Sequence, residues 1–189
     1  MKKRSCIAWI MTVFIIGTAA AAFAGQPVPK KKQTVLNLYI TAQDAFARWQ
    51  SDPDHIKILD ARTPGEYIFV GHAPMAVNIP LRFLSSTVNS ITLGLDMPVN
   101  ENFIEQVKEK FNETDTIFVM CRSGSRSAAA VNLMAGAGFK TVYNIIDGFE
   151  GDSLKVPGSY NNGKRLVNGW KNSGAPWTYK LKRGQAYMK

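Results

Sequence analysis

Three short runs of β-branched and apolar residues constrain the architecture most: "IKILDAR" (56–62), "TIFVMC" (116–121) and "TVYNII" (141–146). Each has the length of a buried strand, and stretches of helical period lie between them. In "TAQDAFARWQ" (41–50), Ala42, Ala45, Phe46 and Trp49 share one face, with Thr41 as cap and Asp44 in the first turn. "NENFIEQVKEKF" (100–111) turns Phe103, Ile104, Val107 and Phe111 inward behind Asn100 as cap. "SAAAVNLMAGAGF" (127–139) is an alanine-rich helix between the second and third runs. Strands alternating with helices predict an α/β domain with a mainly parallel central sheet flanked by helices on both faces. Pro64-Gly65 is read as the stop of the first strand, Gly71-His72 as a turn, and Val77 to Ile79 as a further short strand ended by Pro80.

The first residues stand apart from this pattern. Lys2, Lys3 and Arg4 precede an apolar run from Ile7 to Ile16, and Ala22-Phe23-Ala24 forms an A-x-A site before Gly25. That order predicts a cleaved export signal over 1–24, which places the domain in the periplasm. The competing reading is an uncleaved membrane anchor, since no charge interrupts the stretch from Cys6 to Gly25 and roughly 20 such residues can span a bilayer. With the signal cleaved, no stable membrane span is expected. A Lys/Pro-rich linker follows over 25–36, then the domain over 37–180, then a basic tail over 181–189. The stretch from Phe83 to Pro98 lacks a clear period and reads as a surface excursion. Tyr160, Trp170, Trp177 and Tyr179 are expected to fold back onto the core.

Loss of residues 1–24 removes three of the 23 basic residues and none of the 14 acidic ones, leaving a net charge of +6. Such a surface favours anionic small molecules or an acidic partner. No zinc-ligand spacing, helix-turn-helix pattern or aromatic-basic RNA motif occurs, so nucleic acid is not an expected partner. Of two cysteines, only Cys121 lies in the mature chain. Exported domains commonly pair their cysteines, whereas a single one is a free thiol.

Cys121 opens the loop "CRSGSRS" (121–127), between a strand and a helix N-terminus. In a sheet of this kind ligands bind beyond the carboxyl ends of the strands, and Cys121 lies at one of those ends. Backbone N–H groups converging there, together with Arg122 and Arg126, favour negative charge on sulfur or draw in an anionic substrate. Gly124 permits backbone angles that other residues resist, Ser123 and Ser125 keep the rim small, and Ser127 is placed to cap the helix. Asp60 and Arg62, at another strand end, either support the loop through ion pairs or hold the Pro64-Gly65 turn. Glu66 reads as the partner of a local arginine, not as a base, and His72 as a hydrogen-bonded structural histidine.

The loop resembles the active-site loop of rhodanese (sulfurtransferase) domains, commonly C-R-x-G-x-R. "ILDARTPGEY" (58–67), "GHAPMAVNIP" (71–80), "VYNIIDGFEG" (142–151) and "GWKNSGAPW" (169–177) are similar to other segments of that family. Two features depart from it: Phe149 replaces a second glycine after Gly148, and the stretches 83–98 and 152–164 are long. The resemblance implies a persulfide on Cys121, loaded from a small anionic donor such as thiosulfate and unloaded to a thiol, cyanide or a protein acceptor, with no metal or organic cofactor. It further implies that the loop from Arg122 through Ser123, Gly124, Ser125 and Arg126 to Ser127 holds the sulfur anion. Arg122 then guides donors, while Arg126 braces the loop or shares that task. Other readings are a non-turnover sulfur carrier or docking module and a thiol redox sensor. A cysteine-dependent phosphatase or arsenate reductase is disfavoured, because C-x5-R places arginine at position 127, which is serine here.

Overall fold

All four pairings within the sheet are parallel, so every connection must cross a face and bring cover with it. The computed structural model describes residues 27–91 and 93–188. Its strands are β1 (Tyr39–Ile40), β2 (Ile56–Asp60), β3 (Val77–Asn78), β4 (Thr116–Met120) and β5 (Val142–Ile145), and its helices are α1 (Ala42–Ser51), α2 (Pro64–Phe69), α3 (Phe103–Lys110) and α4 (Ser125–Gly136). The sheet order is β1-β5-β4-β2-β3. β4 is therefore the central strand, between β5 and β2, and the C-terminal ends of β4 and β2 lie side by side, with Asp60 in register with Met120.

Alternation along the strands divides the core in two. Leu59, Ile117, Val119 and Val142 pack with Phe103 and Val107 of α3 and with Ala130, Val131 and Met134 of α4. Ile58, Phe118, Met120 and Ile145 face the other way, onto Ala42, Ala45, Phe46 and Trp49 of α1 and the buried Trp170. Helices thus cover both faces, as the sequence pattern predicts. Burying a large apolar side chain such as Phe118 contributes about 1.5–3 kcal/mol relative to leaving it in water.

Several local readings are corrected by physical detail. Pro64 does not stop a strand but starts α2: it occupies the first turn, where a missing N–H costs nothing. Thr63 and Glu66 form a reciprocal capping box there. The α3 cap position is Asn102; Asn100 lies upstream, accepting the Asn102 N–H and donating to the Pro80 carbonyl and to Gln106. The third strand ends at Asn78, one residue before Ile79. The two-residue β1 has no reading in the sequence, because the Leu38 and Ile40 carbonyls, which accept the Asn144 and Ile146 N–H groups, belong to too short a run to show a period.

The segments flanking the domain are fastened to it. Lys30–Lys32 forms a 3-10 turn whose Lys32 carbonyl accepts from Asn144, and the Val35 N–H donates to Asn132 of α4. At the other end, the Gln185 carbonyl accepts from the Asn78 N–H, and Tyr187 packs against Phe83. The stretch 83–98 doubles back on itself through backbone bonds such as Phe83 to Pro98 and Ser85 to Asp96, with Ile91 and Leu93 exposed near its tip. Of the four late aromatics, Trp170 is in the core, while Tyr160 and Tyr179 face solvent. Trp177 lies between these extremes, against Gly71 and under the Lys171 ammonium. Among the described residues, no helix is long and apolar enough to cross a membrane. The segment 1–24, read as signal or anchor, lies outside the described residues.

Candidate active site

Cys121 follows β4 directly, and the chain from it to Gly124 turns sharply into α4. The turn depends on glycine at two places. Gly124 has φ +97°, and a Cβ there would strike the Ile146 carbonyl. Gly148 has φ +65°, and its Cβ would lie 2.5 Å from the Cys121 carbonyl oxygen. The two segments are laced together by the Phe149 N–H donating to the Cys121 carbonyl (2.7 Å) and the Glu150 N–H donating to that of Arg122 (3.0 Å).

The Cys121 side chain is a free thiol under this loop, the residue only 2% exposed. Its polar neighbours are the Gly124 N–H, 3.2 Å from Sγ, and the Ser127 hydroxyl, 3.4 Å away. Within the described residues, then, one amide and one hydroxyl reach the resting sulfur, where the sequence suggested a wider ring of amides. Ser127 is not the helix cap: Gly124 holds that position, and the Ser127 hydroxyl lies 2.6 Å from Asn144 Oδ1. Arg122 is exposed, Ser123 and Ser125 are half-buried on the rim, and Gly124 and Ser127 are buried.

Arg126 turns back from the first turn of α4 to Glu66. Its two terminal nitrogens meet the two carboxylate oxygens at 2.7 and 2.5 Å, a bidentate pair joining α4 to α2. Burial pushes the Glu66 carboxyl up, but the Arg126 hydrogen bonds and charge, with the Thr63 N–H and hydroxyl, outweigh it and hold the group at about 2. For Arg126, burial acts to lower the value, and Glu66 followed by the nearby Cys121 sulfur raises it overall. A carboxylate depressed in this way stabilises the fold above its unfolded value of about 4.3, and that stability is lost as pH falls through about 2. Glu66→Gln is therefore expected to cost about 1.5–3 kcal/mol at neutral pH and to flatten the pH dependence of urea unfolding between pH 4.5 and 2.

Asp60 and Arg62 are both fully buried. Arg62 donates to both Asp60 oxygens (3.0, 3.0 and 2.6 Å) and to the Gly71 carbonyl (2.8 Å), and its guanidinium lies 4.0 Å from the Phe149 ring centroid. The pair thus braces the Gly71 turn and the Phe149 segment, and through the Phe149 N–H it touches the Cys121 backbone. His72 stacks on Tyr67 at 3.8 Å and bonds its Nδ1 to the Tyr67 carbonyl, away from the loop.

The residue that sequence reasoning missed is Asn144. It is fully buried in β5, where its Nδ2 donates to the carbonyls of Lys32 (2.9 Å) and Gly124 (3.1 Å) and its Oδ1 faces Ser127. An amide alone in an apolar strand is the signal that pointed to it. Among the described residues, no cluster of His, Cys, Asp and Glu is arranged to hold a metal ion.

A family profile described as rhodanese-like domain matches residues 42–154, from the first residue of α1 to beyond the Cys121 loop and β5. The chain belongs to the rhodanese-like domain family. An uncharacterized protein of Rickettsia prowazekii is 35% identical over 122 residues, 65% of this chain and 82% of that protein. Thiosulfate sulfurtransferase 16, chloroplastic, of Arabidopsis thaliana is 39% identical over 93 residues, 49% of this chain and 70% of its own. Among solved structures, that of Rv0390 from M. tuberculosis aligns with a TM-score of 0.58 at 25% identity, covering 75% of this chain and 96% of that one. A rhodanese-like domain from Anabaena, solved by NMR, aligns at 0.51 and 18% identity over 80% of this chain and 86% of its own, a likeness of fold. The chain is thus a rhodanese-like α/β domain of a sulfurtransferase-type family, with Cys121 at the loop between its central strand and α4.

Proposed function

We propose that this rhodanese-like domain is an exported sulfurtransferase that moves sulfane sulfur from thiosulfate or a related donor to a thiophilic acceptor through a persulfide on Cys121. The observation that carries the reading is the placement of the thiol: at the end of a central strand, under a helix N-terminus, with the Gly124 N–H 3.2 Å from Sγ and Arg126 on the same loop. The Arabidopsis relative's name, thiosulfate sulfurtransferase, supports the donor. Export follows from the order of charges and apolar residues over 1–24.

The chemistry is a two-step displacement. The Cys121 thiolate attacks the outer sulfur of thiosulfate; the Cys121 S–S bond forms as the donor's S–S bond breaks, and sulfite leaves with the electron pair. Cyanide, or a thiolate acceptor, then attacks the outer persulfide sulfur, and Cys121 departs as thiolate. That outer sulfur lies about 2 Å beyond Sγ. In this reading, amides of the Arg122–Ser127 loop that do not touch the resting thiol would hold the charge on that outer sulfur in both steps. Exposed Arg122 is suited to steering dianionic donors, and Arg126, tied to Glu66, to bracing the loop.

The near-complete burial of Cys121 favours a second reading, a carrier loaded by a partner that opens the loop. One experiment separates the two. The protein is incubated with thiosulfate, its intact mass is recorded, and thiocyanate is followed after cyanide is added. A gain of one sulfur with sustained thiocyanate production is expected; a single stoichiometric transfer from a sulfur-loaded partner, without thiosulfate turnover, would establish the carrier. No sulfur gain from either source would reject both. The intact mass of exported material also reports whether the chain begins at Gly25.

A further inference from the structure

The Ser127 hydroxyl has one proton and two neighbours that can take it. Asn144 Oδ1 lies at 2.6 Å and Cys121 Sγ at 3.4 Å. Which neighbour receives it is settled by the far side of the Asn144 amide. Nδ2 sits between two carbonyl oxygens, those of Lys32 and Gly124. Carbonyls only accept, so the NH2 must face them, and Oδ1 must face Ser127. Oδ1 is buried and cannot donate, so the short contact to it requires the Ser127 proton. What Ser127 then turns to the sulfur is a lone pair, which suits an S–H donor and not a thiolate.

We propose that Asn144 is a positioning residue that keeps the resting Cys121 sulfur protonated by claiming the only proton of the Ser127 hydroxyl. Ionisation, or the persulfide anion that follows it, draws that proton across to sulfur and leaves Oδ1 without a donor. The thiolate therefore gains a charge-assisted bond and forfeits a neutral one, so its net gain is small. The lock has an anchor outside the family match: the Lys32 carbonyl belongs to the 3-10 turn at Lys30–Lys32, ahead of α1. The residues that precede the domain thus fix the amide that governs the sulfur.

The inference rests on Cys121 being the reacting atom, but its test reads the thiol whether or not sulfur is ever transferred. Thiolate formation is titrated by ultraviolet absorbance as the difference between each protein and its Cys121→Ser counterpart, which cancels Cys6 and the tyrosines. Asn144→Ala frees the hydroxyl for the thiolate and is expected to lower the titration midpoint by about 0.5–1 pH unit, roughly three- to tenfold more thiolate below both midpoints. Placed on Ser127→Ala, the same substitution should move the midpoint no further. The charged groups on the elements packed around the sulfur are Arg126 with its partner Glu66, exposed Arg122, the internally paired Asp60 and Arg62, and buried Asp147 beside Gly148, which accepts the Ala42 and Gly169 N–H groups. All are present in both proteins of each comparison. Asn144→Ser, small enough to admit water to the two carbonyls, gives the same reading should the alanine variant not fold. A midpoint that stays or rises, or a shift of equal size in the Ser127→Ala background, overturns the proposal. Absence of sulfur transfer in the unaltered protein, with the midpoint shift intact, would count against the sulfurtransferase reading alone.

Discussion

Cys121→Ser is expected to lose thiosulfate-dependent sulfur gain entirely and to lower thiocyanate formation by at least about 10³-fold, the scale on which removal of a covalent nucleophile acts. The fold should survive the change. The sulfur sits in a polar niche, not a purely apolar one: a serine oxygen there can still accept the Gly124 N–H and exchange a hydrogen bond with Ser127. The backbone of residue 121 is held independently, through its carbonyl's bond to the Phe149 N–H. A thermal midpoint within about 2–4 °C of the unaltered protein corresponds to a cost near 1 kcal/mol in a chain of this size. Activity lost with the melting point held would assign the chemistry to the sulfur atom. Turnover that persists in the serine variant would remove Cys121 from the mechanism and, with it, the persulfide.

The parts of this molecule that could be read from its residues are those set by local chemistry. The runs at 56–62, 116–121 and 141–146 become β2, β4 and β5 because β-branched and apolar residues gather there in lengths that suit a buried strand. Thr41 and Asp44 cap α1 as their spacing requires. Cys121 falls where a parallel sheet places its ligands, at the end of a central strand. What escaped notice depends on partners far away in the chain. Pro64 reads as a stop until Thr63 and Glu66 are seen to close a capping box, and Glu66 gains its second role only because Arg126, sixty residues on, folds against it. Ser127 has the composition of a cap, yet a left-handed glycine can take that position and release the hydroxyl to Asn144. Asn144 itself is polar in the middle of an apolar run, so its meaning lay in the Lys32 and Gly124 carbonyls that no local pattern brings together. The stretch 25–36 has the composition of a linker, and only the docking of Lys32 and Val35 on β5 and α4 makes its described part a support of the site.

Removing one partner of the Asp60–Arg62 pair is expected to destabilise the protein by about 3–5 kcal/mol, because it leaves a charge stranded in the interior. Both side chains are fully buried, so no water can rescue the survivor without local opening. Arg62→Leu strands the Asp60 carboxylate and also leaves the Gly71 carbonyl without its 2.8 Å donor and Phe149 without the cation over its ring. Asp60→Asn is the milder change in shape, but it leaves the guanidinium without its counter-charge while the Gly71 contact remains. The consequences differ in kind as well as size. Arg62 packs against Phe149, whose N–H holds the Cys121 carbonyl, so Arg62→Leu should slow sulfur loading in molecules that remain folded. Asp60→Asn should act mainly on stability. Replacing both together, with Asp60→Asn added to Arg62→Leu, removes the stranded charge and is expected to recover part of the loss; urea unfolding of the two single variants and the double variant measures the coupling. Costs below about 1 kcal/mol for either single change, or strict additivity in the double, would mean that the two charges do not stabilise each other and that the loop's support lies in the glycine turn alone.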